Sequence, residues 1–377
     1  MNKFILAISV VVMALAASPN AEAASADADA TLRLVAREIQ ALVPEDGAGG
    51  VAVAVYRDGQ TLFLNYGWAN AAHEVPITSD SLFNLGSIRK VFEAVLLAQA
   101  ALRGDLALDD PVSKYVTELE EGDDIRQVTI GELAAYTSGL VLPQDHPPWP
   151  SERYTLAEFI RTLNQWKADR AHEPGAQYIY AHSSYVLLQL ALERRFGMPI
   201  AALLDRDVIR PLGLSSTILP PRRSGGWAAL APELLGRAVQ GYGEDGEPIG
   251  QPGDQQTYYD FSGTGQMFSS ARDLARFLAA NLGDLEIDEA FQQALQRTHR
   301  SLFRLGPHHA QAMAWEVEDH NGLLIVDKPG GLNNSSTYIG MVPSSKLGIV
   351  ILLNRGNQHP FELGRRLLRE LAHHQMQ

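Results

Sequence analysis

The chain is predicted to be an α+β protein: one mostly antiparallel sheet, covered by the two terminal helices, with an inserted helical lobe. Two observations predict it. Short β-branched runs lie near both ends of the sequence, and helical periodicities dominate the stretch between them. Strands from both ends belong to one sheet layer, and the helices between them form a second body against it. A crevice between such lobes is where a small molecule binds. On this reading the sheet lobe takes about residues 24–80 and 300–377, and the helical lobe about 81–299.

The first stretch stands apart from the fold. Met1-Asn2-Lys3 gives a positive start, Phe4 to Ala17 is almost wholly apolar, and Ala21-Glu22-Ala23 is a small-x-small cleavage site. That is the layout of a secretory signal peptide over residues 1–23. The apolar run is about 14 residues, short of the roughly 20 that span a bilayer. Cleavage after Ala23 and release into the periplasm, with no membrane attachment afterwards, are therefore expected.

The mature chain, residues 24–377, opens with a predicted helix, Thr31 to Val43, apolar at Leu32, Leu34, Val35, Ile39 and Leu42 and ended by Gly49-Gly50. Val51 to Tyr56 and Thr61 to Tyr66 are β-rich and flank the turn residues Arg57-Asp58-Gly59, which predicts a hairpin. Helices follow at Phe92 to Leu102, Ile130 to Tyr136, Leu156 to Trp166, Ser184 to Phe196, Ile200 to Val208 and Ala271 to Leu282. Proline-rich connections separate them, notably Pro143 to Pro150. Strands return at Leu323 to Val326, Ser336 to Met341 and Leu347 to Leu353, the last two joined by Pro343-Ser344-Ser345. A final helix runs from about Phe361 to His373.

Composition narrows the function. The hydrophobic fraction of 46% and charged fraction of 20% are ordinary for a globular protein. A formal charge of −13 argues against nucleic acid or an anionic membrane as partner, leaving a small-molecule substrate and a monomer as the expectation. Cysteine is absent, which removes thiol nucleophiles and thiolate metal sites. A periplasmic protein with a core of this size needs no disulfide.

Three short elements carry chemistry. Ser87-Ile88-Arg89-Lys90 opens a predicted helix, where i, i+3 spacing puts hydroxyl and ammonium on one face. A serine becomes nucleophilic when a neighbour takes its proton or stabilises its alkoxide, and the helix N-terminus adds positive potential there. Of six lysines, Lys90 alone completes an S-x-x-K. The second element is Tyr180-Ala181-His182, after Glu173-Pro174-Gly175, and the third is Lys328-Pro329-Gly330-Gly331, after an apolar run. Taken singly, each has a bland explanation: a solvated lysine beside a capping serine, a half-buried tyrosine, an edge-strand charge.

Taken together and in this order, the elements resemble the penicillin-recognising serine hydrolases, and the surrounding sequence resembles their class C β-lactamases. Leu82-Phe83-Asn84-Leu85-Gly86-Ser87 is similar to that family's nucleophile loop, and Leu133-Ala134-Ala135-Tyr136-Thr137-Ser138-Gly139 to the segment leading to its active-site glutamine. Pro211-Leu212-Gly213-Leu214 and Gly348 to Asn354 also fall in family positions, so the resemblance spans nearly the whole mature chain. It implies a β-lactamase/transpeptidase-like fold and hydrolysis of β-lactams through an acyl-enzyme on Ser87. Lys90 would hold the proton network, and Tyr180 would be general base as a phenolate or through a relay with the lysines. Lys328 would supply positive charge at the substrate. The oxyanion hole would use the N–H groups of Ser87 and Gly331, with Gly330 beside it. Gln144 would hydrogen-bond the substrate's amide side chain.

Three departures bear on substrate. His182 stands where the family has asparagine, and Pro329 where it often has threonine. Beyond Asn354, His359 and Glu362 replace a carboxylate-recognising asparagine and arginine. Asn333, Asn334, Ser335 and Ser336 lie near enough in sequence to compensate for the lost threonine. An altered profile, favouring cephalosporins or carbapenems, is the corresponding expectation. No cofactor is implied. His182 is the one candidate metal ligand, and with His172 and the adjacent His308-His309 it makes no familiar zinc spacing. Two other readings stay open: a D-alanyl-D-alanine peptidase or esterase on this fold, and an inactive cell-wall peptide-binding protein.

Overall fold

Strand alternation builds the molecule around two cores. In β1 (Gly50–Arg57), Val51, Val53 and Val55 face one side of the sheet and Ala52, Ala54 and Tyr56 the other, and both sets are buried. A strand hydrophobic on both faces belongs in the middle of a layered sheet. The structure is a computed structural model and describes residues 33–145, 154–223, 226–227, 230–254, 259–261, 263 and 265–374. The expected signal peptide and its cleavage site lie outside the described residues. Helix α1, residues 33–40, ends short of Val43, where the chain turns through hydrogen bonds from Leu42 and Val43 back to Ile39 and Gln40.

The main sheet has nine strands in the order β3-β2-β1-β13-β12-β11-β10-β9-β8, all antiparallel. Its N-terminal members are β1, β2 (Gln60–Asn70) and β3 (Val75–Pro76). Its C-terminal members are β8 (Phe303–Arg304), β9 (His309–Gln311), β10 (Glu316–His320), β11 (Leu323–Leu332), β12 (Ser335–Val342) and β13 (Leu347–Leu353). Two short pairs lie elsewhere: β4 (Phe83–Asn84) with β7 (Phe268–Ser269), and β5 (Arg222–Arg223) with β6 (Gly226–Trp227). One face packs against α1 through Val35 and Ile39 and against α10 (Phe361–His374) through Leu367, Leu368 and Leu371. On the other face α8 (Ala271–Asn281) packs on the sheet, and α2 (Arg89–Arg103), α3 (Ile130–Ala134), α4 (Leu156–Gln165), α5 (His182–Phe196), α6 (Ile200–Leu204) and α9 (Glu289–Thr298) share its core; the short α7 (Pro232–Leu235) buries no residue. No helix of the described residues is long and apolar enough to cross a membrane.

Several elements differ from expectation. Strands β8 to β10 and helix α9 were not anticipated. β10 reads Glu-Val-Glu-Asp-His, so its pattern is that of a charged loop until its partners pair with it. Helix α9 carried a signal that a longer window finds, Phe291, Ala294 and Leu295 at i, i+3, i+4. The helix expected to run to Val208 ends at Leu204 and passes into a π-turn over Asp205–Ile209. Strand β11 continues past Val326 through Lys328, Pro329 and the two glycines to Leu332. Pairing with β10 stops at Asp327, so from Lys328 onward β11 has a free edge, where proline's missing N–H costs nothing.

Candidate active site

Three backbone contacts hold the nucleophile loop. β4 pairs with β7, Leu85 N–H donates to Met267 O at 2.8 Å, and Leu85 O accepts Thr337 Oγ1 from β12 at 2.9 Å. Gly86 takes a φ of +53°, and a Cβ there would sit 2.7 Å from Gly331 N, a contact open to glycine alone. Gly330 is equally confined, since a Cβ would lie 2.3 Å from both Leu85 O and Thr337 Oγ1. The backbone that presents Ser87 therefore lies directly against the β11 backbone at Gly330 and Gly331. Two N–H groups on adjoining backbones can serve one developing oxyanion.

Ser87 sits in a single 3₁₀ turn, Gly86–Ile88, that leads straight into α2. Its Oγ lies 2.5 Å from Tyr180 Oη, and Lys90 Nζ donates to Ser87 Oγ at 2.9 Å and to Tyr180 Oη at 3.1 Å. Tyr180 reaches this point from the extended segment before α5, which is tied to the end of α3 by Ile179 N–H on Tyr136 O and Gly175 N–H on Thr137 O. Lys90 is fully buried. Burial pulls its ammonium down to about 7; Glu93 and Asp145 oppose that fall, and Arg89 adds to it. An amine poised there takes and returns a proton near neutral pH.

Lys328 is placed from the opposite face of β11. Its neighbour Asp327 points into the α10 side, where Arg365 donates to it at 2.6 and 2.9 Å and Tyr338 Oη at 2.9 Å. Alternation then sends Lys328 to the opposite face, toward Tyr180, with Nζ 4.8 Å from the Tyr180 ring centroid and 5.1 Å from that of Tyr136. Ring faces at this distance stabilise a cation. Tyr136, with a φ of +55°, is fully buried and packs on Tyr180 at 4.7 Å between centroids. Its place as a seat for Lys328 was not read from the sequence.

His182 begins α5 and packs edge-on against Tyr180, 5.6 Å between centroids. Burial, reinforced by Lys90 and Lys328, lowers its imidazole to about 3, so it is neutral at working pH. Among the described residues no three of His, Cys, Asp and Glu converge where a metal ion would sit. The α5 N-terminus is also held by Asp145, which accepts from Ser183 N–H at 2.8 Å and Ser183 Oγ at 2.6 Å.

Gln144, expected to meet the substrate's amide side chain, is fully buried beside Tyr259, which itself lines the cleft. The cause is the tight turn Pro143–Asp145: Asp145 binds Leu142 N–H and Ser183, which turns Gln144 inward. The cleft itself is about 1030 Å³ and is lined by His182, Pro329, Gly330, Gly331 and His359, and by the acidic Glu244, Asp245 and Glu247. Glu362 is exposed on the first turn of α10.

The structure thus brings together Ser87, Lys90, Tyr180, His182, Lys328, Gly330 and Gly331, with Gln144 buried beside Tyr259. Comparison with known proteins gives the family. The Beta-lactamase family model matches residues 35–374. A β-lactamase of Pseudomonas fluorescens is 28% identical over 357 residues, covering 86% of this chain and 93% of its own. A class C β-lactamase structure from Rhodobacter sphaeroides superposes with a TM-score of 0.75 at 28% identity, covering 93% of this chain and 99% of that one. A structure described as a β-lactamase/D-alanine carboxypeptidase from Pseudomonas syringae gives 0.77 at 26%, covering 90% and 99%. A family match over nearly all the described residues, on a fold shared with class C enzymes, establishes that the chain belongs to the Beta-lactamase family.

Proposed function

We propose that this chain is an exported serine β-lactamase that works through an acyl-enzyme on Ser87. The observation that carries the proposal is the three-way contact of Ser87 Oγ, Tyr180 Oη and Lys90 Nζ, all within 3.1 Å of one another. Lys90 in its amine form takes the Ser87 proton, directly or through Tyr180, as Oγ attacks the lactam carbonyl. The oxyanion that forms is held by the N–H groups of Ser87 and Gly331. Collapse breaks the C–N bond, and the ring nitrogen takes its proton from the Tyr180–Lys90 pair. Water then attacks the ester, giving a proton to the same pair, and Ser87 leaves as alkoxide and recovers one. Lys328, seated over Tyr136 and Tyr180, supplies positive charge beside the reacting atoms. Neutral His182 and Pro329 shape the cleft differently from an amide and a hydroxyl, which supports an altered profile among cephalosporins, penicillins and carbapenems. The leader-like residues 1–23 support release into the periplasm.

Steady-state hydrolysis of one cephalosporin, one penicillin and one carbapenem by the parent and by Ser87→Ala tests this. Rapid turnover lost about a million-fold in the variant is expected. Turnover that survives in Ser87→Ala would refute it. The dual description of the Pseudomonas syringae structure favours one second reading, a D-alanine carboxypeptidase. Slow turnover with a penicilloyl adduct that persists by mass spectrometry would select that reading.

A further inference from the structure

A buried ion pair lies directly behind the reacting lysine. Arg89 and Glu93, both wholly buried, meet at 2.7 Å across one turn of α2. Arg89 also donates to Gln189 Oε1 of α5 at 2.6 Å, to Gln266 Oε1 at 2.9 Å and to Gly263 O. Those three acceptors are neutral; Glu93 is the carboxylate in contact with the guanidinium, and Glu193 of α5 adds a weaker attraction to it. Burial pushes the Glu93 carboxyl up, and Arg89 and then Lys90 oppose that rise; a guanidinium keeps its proton, and leaving it unbalanced would cost more than pairing it with a carboxylate. Glu93 also stands at i+3 from Lys90, on the same helix face.

We propose that Glu93 is a positioning residue for the reaction: held ionised by Arg89, it keeps the ammonium form of Lys90 accessible beside Ser87 and Tyr180. The inference rests on Lys90 as the proton acceptor of the proposed function. The cycle needs both forms of Lys90, an amine to take the serine proton and an ammonium to return one to the leaving nitrogen. Burial favours the amine, and Arg89 alone would favour it further; Glu93 is the largest opposing influence. The other groups around Lys90 are Asp145 from the turn Pro143–Asp145, Tyr180 just before α5, His182 at its start, and Lys328 on β11. Arg89 has a second consequence. By bonding Gln189 and Gln266 it ties α2 to α5 and to the segment that receives Leu85, so the same pair sets the helix that carries Lys90.

The test is Glu93→Gln, with kcat/KM for a chromogenic cephalosporin measured across pH and the Lys90 side chain titrated by NMR, assigned against Lys90→Arg. Loss of that charge moves the Lys90 titration and the acid limb down, by about two pH units for charges about 6 Å apart, the general i, i+3 spacing, at an effective dielectric near 20. Glu93→Asp, which keeps the charge, restores the parent profile. Where Glu93→Gln does not fold, the apolar double variant Arg89→Leu with Glu93→Leu is expected to show a smaller downward shift, because the two opposing influences leave together. A downward Lys90 titration with an unmoved acid limb would uphold the role of Glu93 and refute Lys90 as proton acceptor. An unmoved Lys90 titration, in Glu93→Gln or in the double variant, would overturn the inference whatever the activity.

Discussion

Adjacent glycines on β11 should respond oppositely to the same methyl group. At Gly330 a Cβ would meet Leu85 O and Thr337 Oγ1 at 2.3 Å, and the hydroxyl donates to that same carbonyl. An ordinary Cβ–oxygen contact is more than 3 Å, so either the nucleophile loop or β11 must retreat by about 1 Å. The loop has little freedom, because β4 pairing and the Leu85–Met267 bond hold it from behind. Overpacking of this kind costs about 1–3 kcal/mol of stability. A misplacement near 1 Å costs about 100-fold in rate, and loss of an oxyanion donor about 100- to 1,000-fold. Gly330→Ala is thus expected to lower kcat/KM for a cephalosporin at least 100-fold while circular dichroism still reports a folded protein. At Gly331 the nearest atom to a Cβ is Ser335 O at 4.0 Å, so Gly331→Ala has room. Its melting temperature should match or slightly exceed the parent's, since alanine costs less chain entropy at an unstrained position. If the two variants lose activity and stability alike, the packing of the nucleophile loop on β11 is not what aligns the oxyanion donors.

Other perturbations separate charge from packing. With Lys90 at about 7 and the amine as the reactive form, kcat/KM should fall about tenfold per pH unit below that point and level off above it; a pH-rate profile flat from 5 to 8 would refute this. His182→Asn should change the ratio of cephalosporin to carbapenem turnover without moving that acid limb, because the imidazole is neutral throughout; a displaced limb with an unchanged ratio would contradict it. Arg365→Ala strands the buried Asp327 carboxylate, and urea unfolding should show about 3–5 kcal/mol lost. A loss under about 1 kcal/mol would mean Tyr338 and solvent compensate for the guanidinium.

What could be read from the sequence was what short-range pattern determines. The period-2 runs of β1, β12 and β13 and the S-x-x-K spacing need only a few neighbouring residues, and they place Ser87, Lys90 and the closing strands. What could not be read depends on partners far along the chain. β10 looks like a charged loop because its acids are answered by Arg365 and Arg369 of α10. Gln144 turns inward because Asp145 is drawn to Ser183, and Arg89 looks like a surface residue until Gln189 and Gln266 close over it. Glycine was the partial exception. Gly330 and Gly331 marked a close approach in advance, though not that the approaching group is the nucleophile loop itself.

The two site lysines show why such remote partners matter. Both are buried, and a bare ammonium cannot be left there without compensation. Lys90 is compensated partly by shedding its proton and partly by Glu93 and Asp145, and the first of these is what its proposed role as a base requires. Lys328 is compensated by the ring faces of Tyr136 and Tyr180, which favour a cation without offering it a carboxylate. A carboxylate beside Lys328 would compete with an anionic substrate for the charge, whereas an aromatic seat leaves it available. The same requirement, burying a lysine, is thus met in two ways that suit the two proposed roles: proton transfer on α2 and charge presentation on β11.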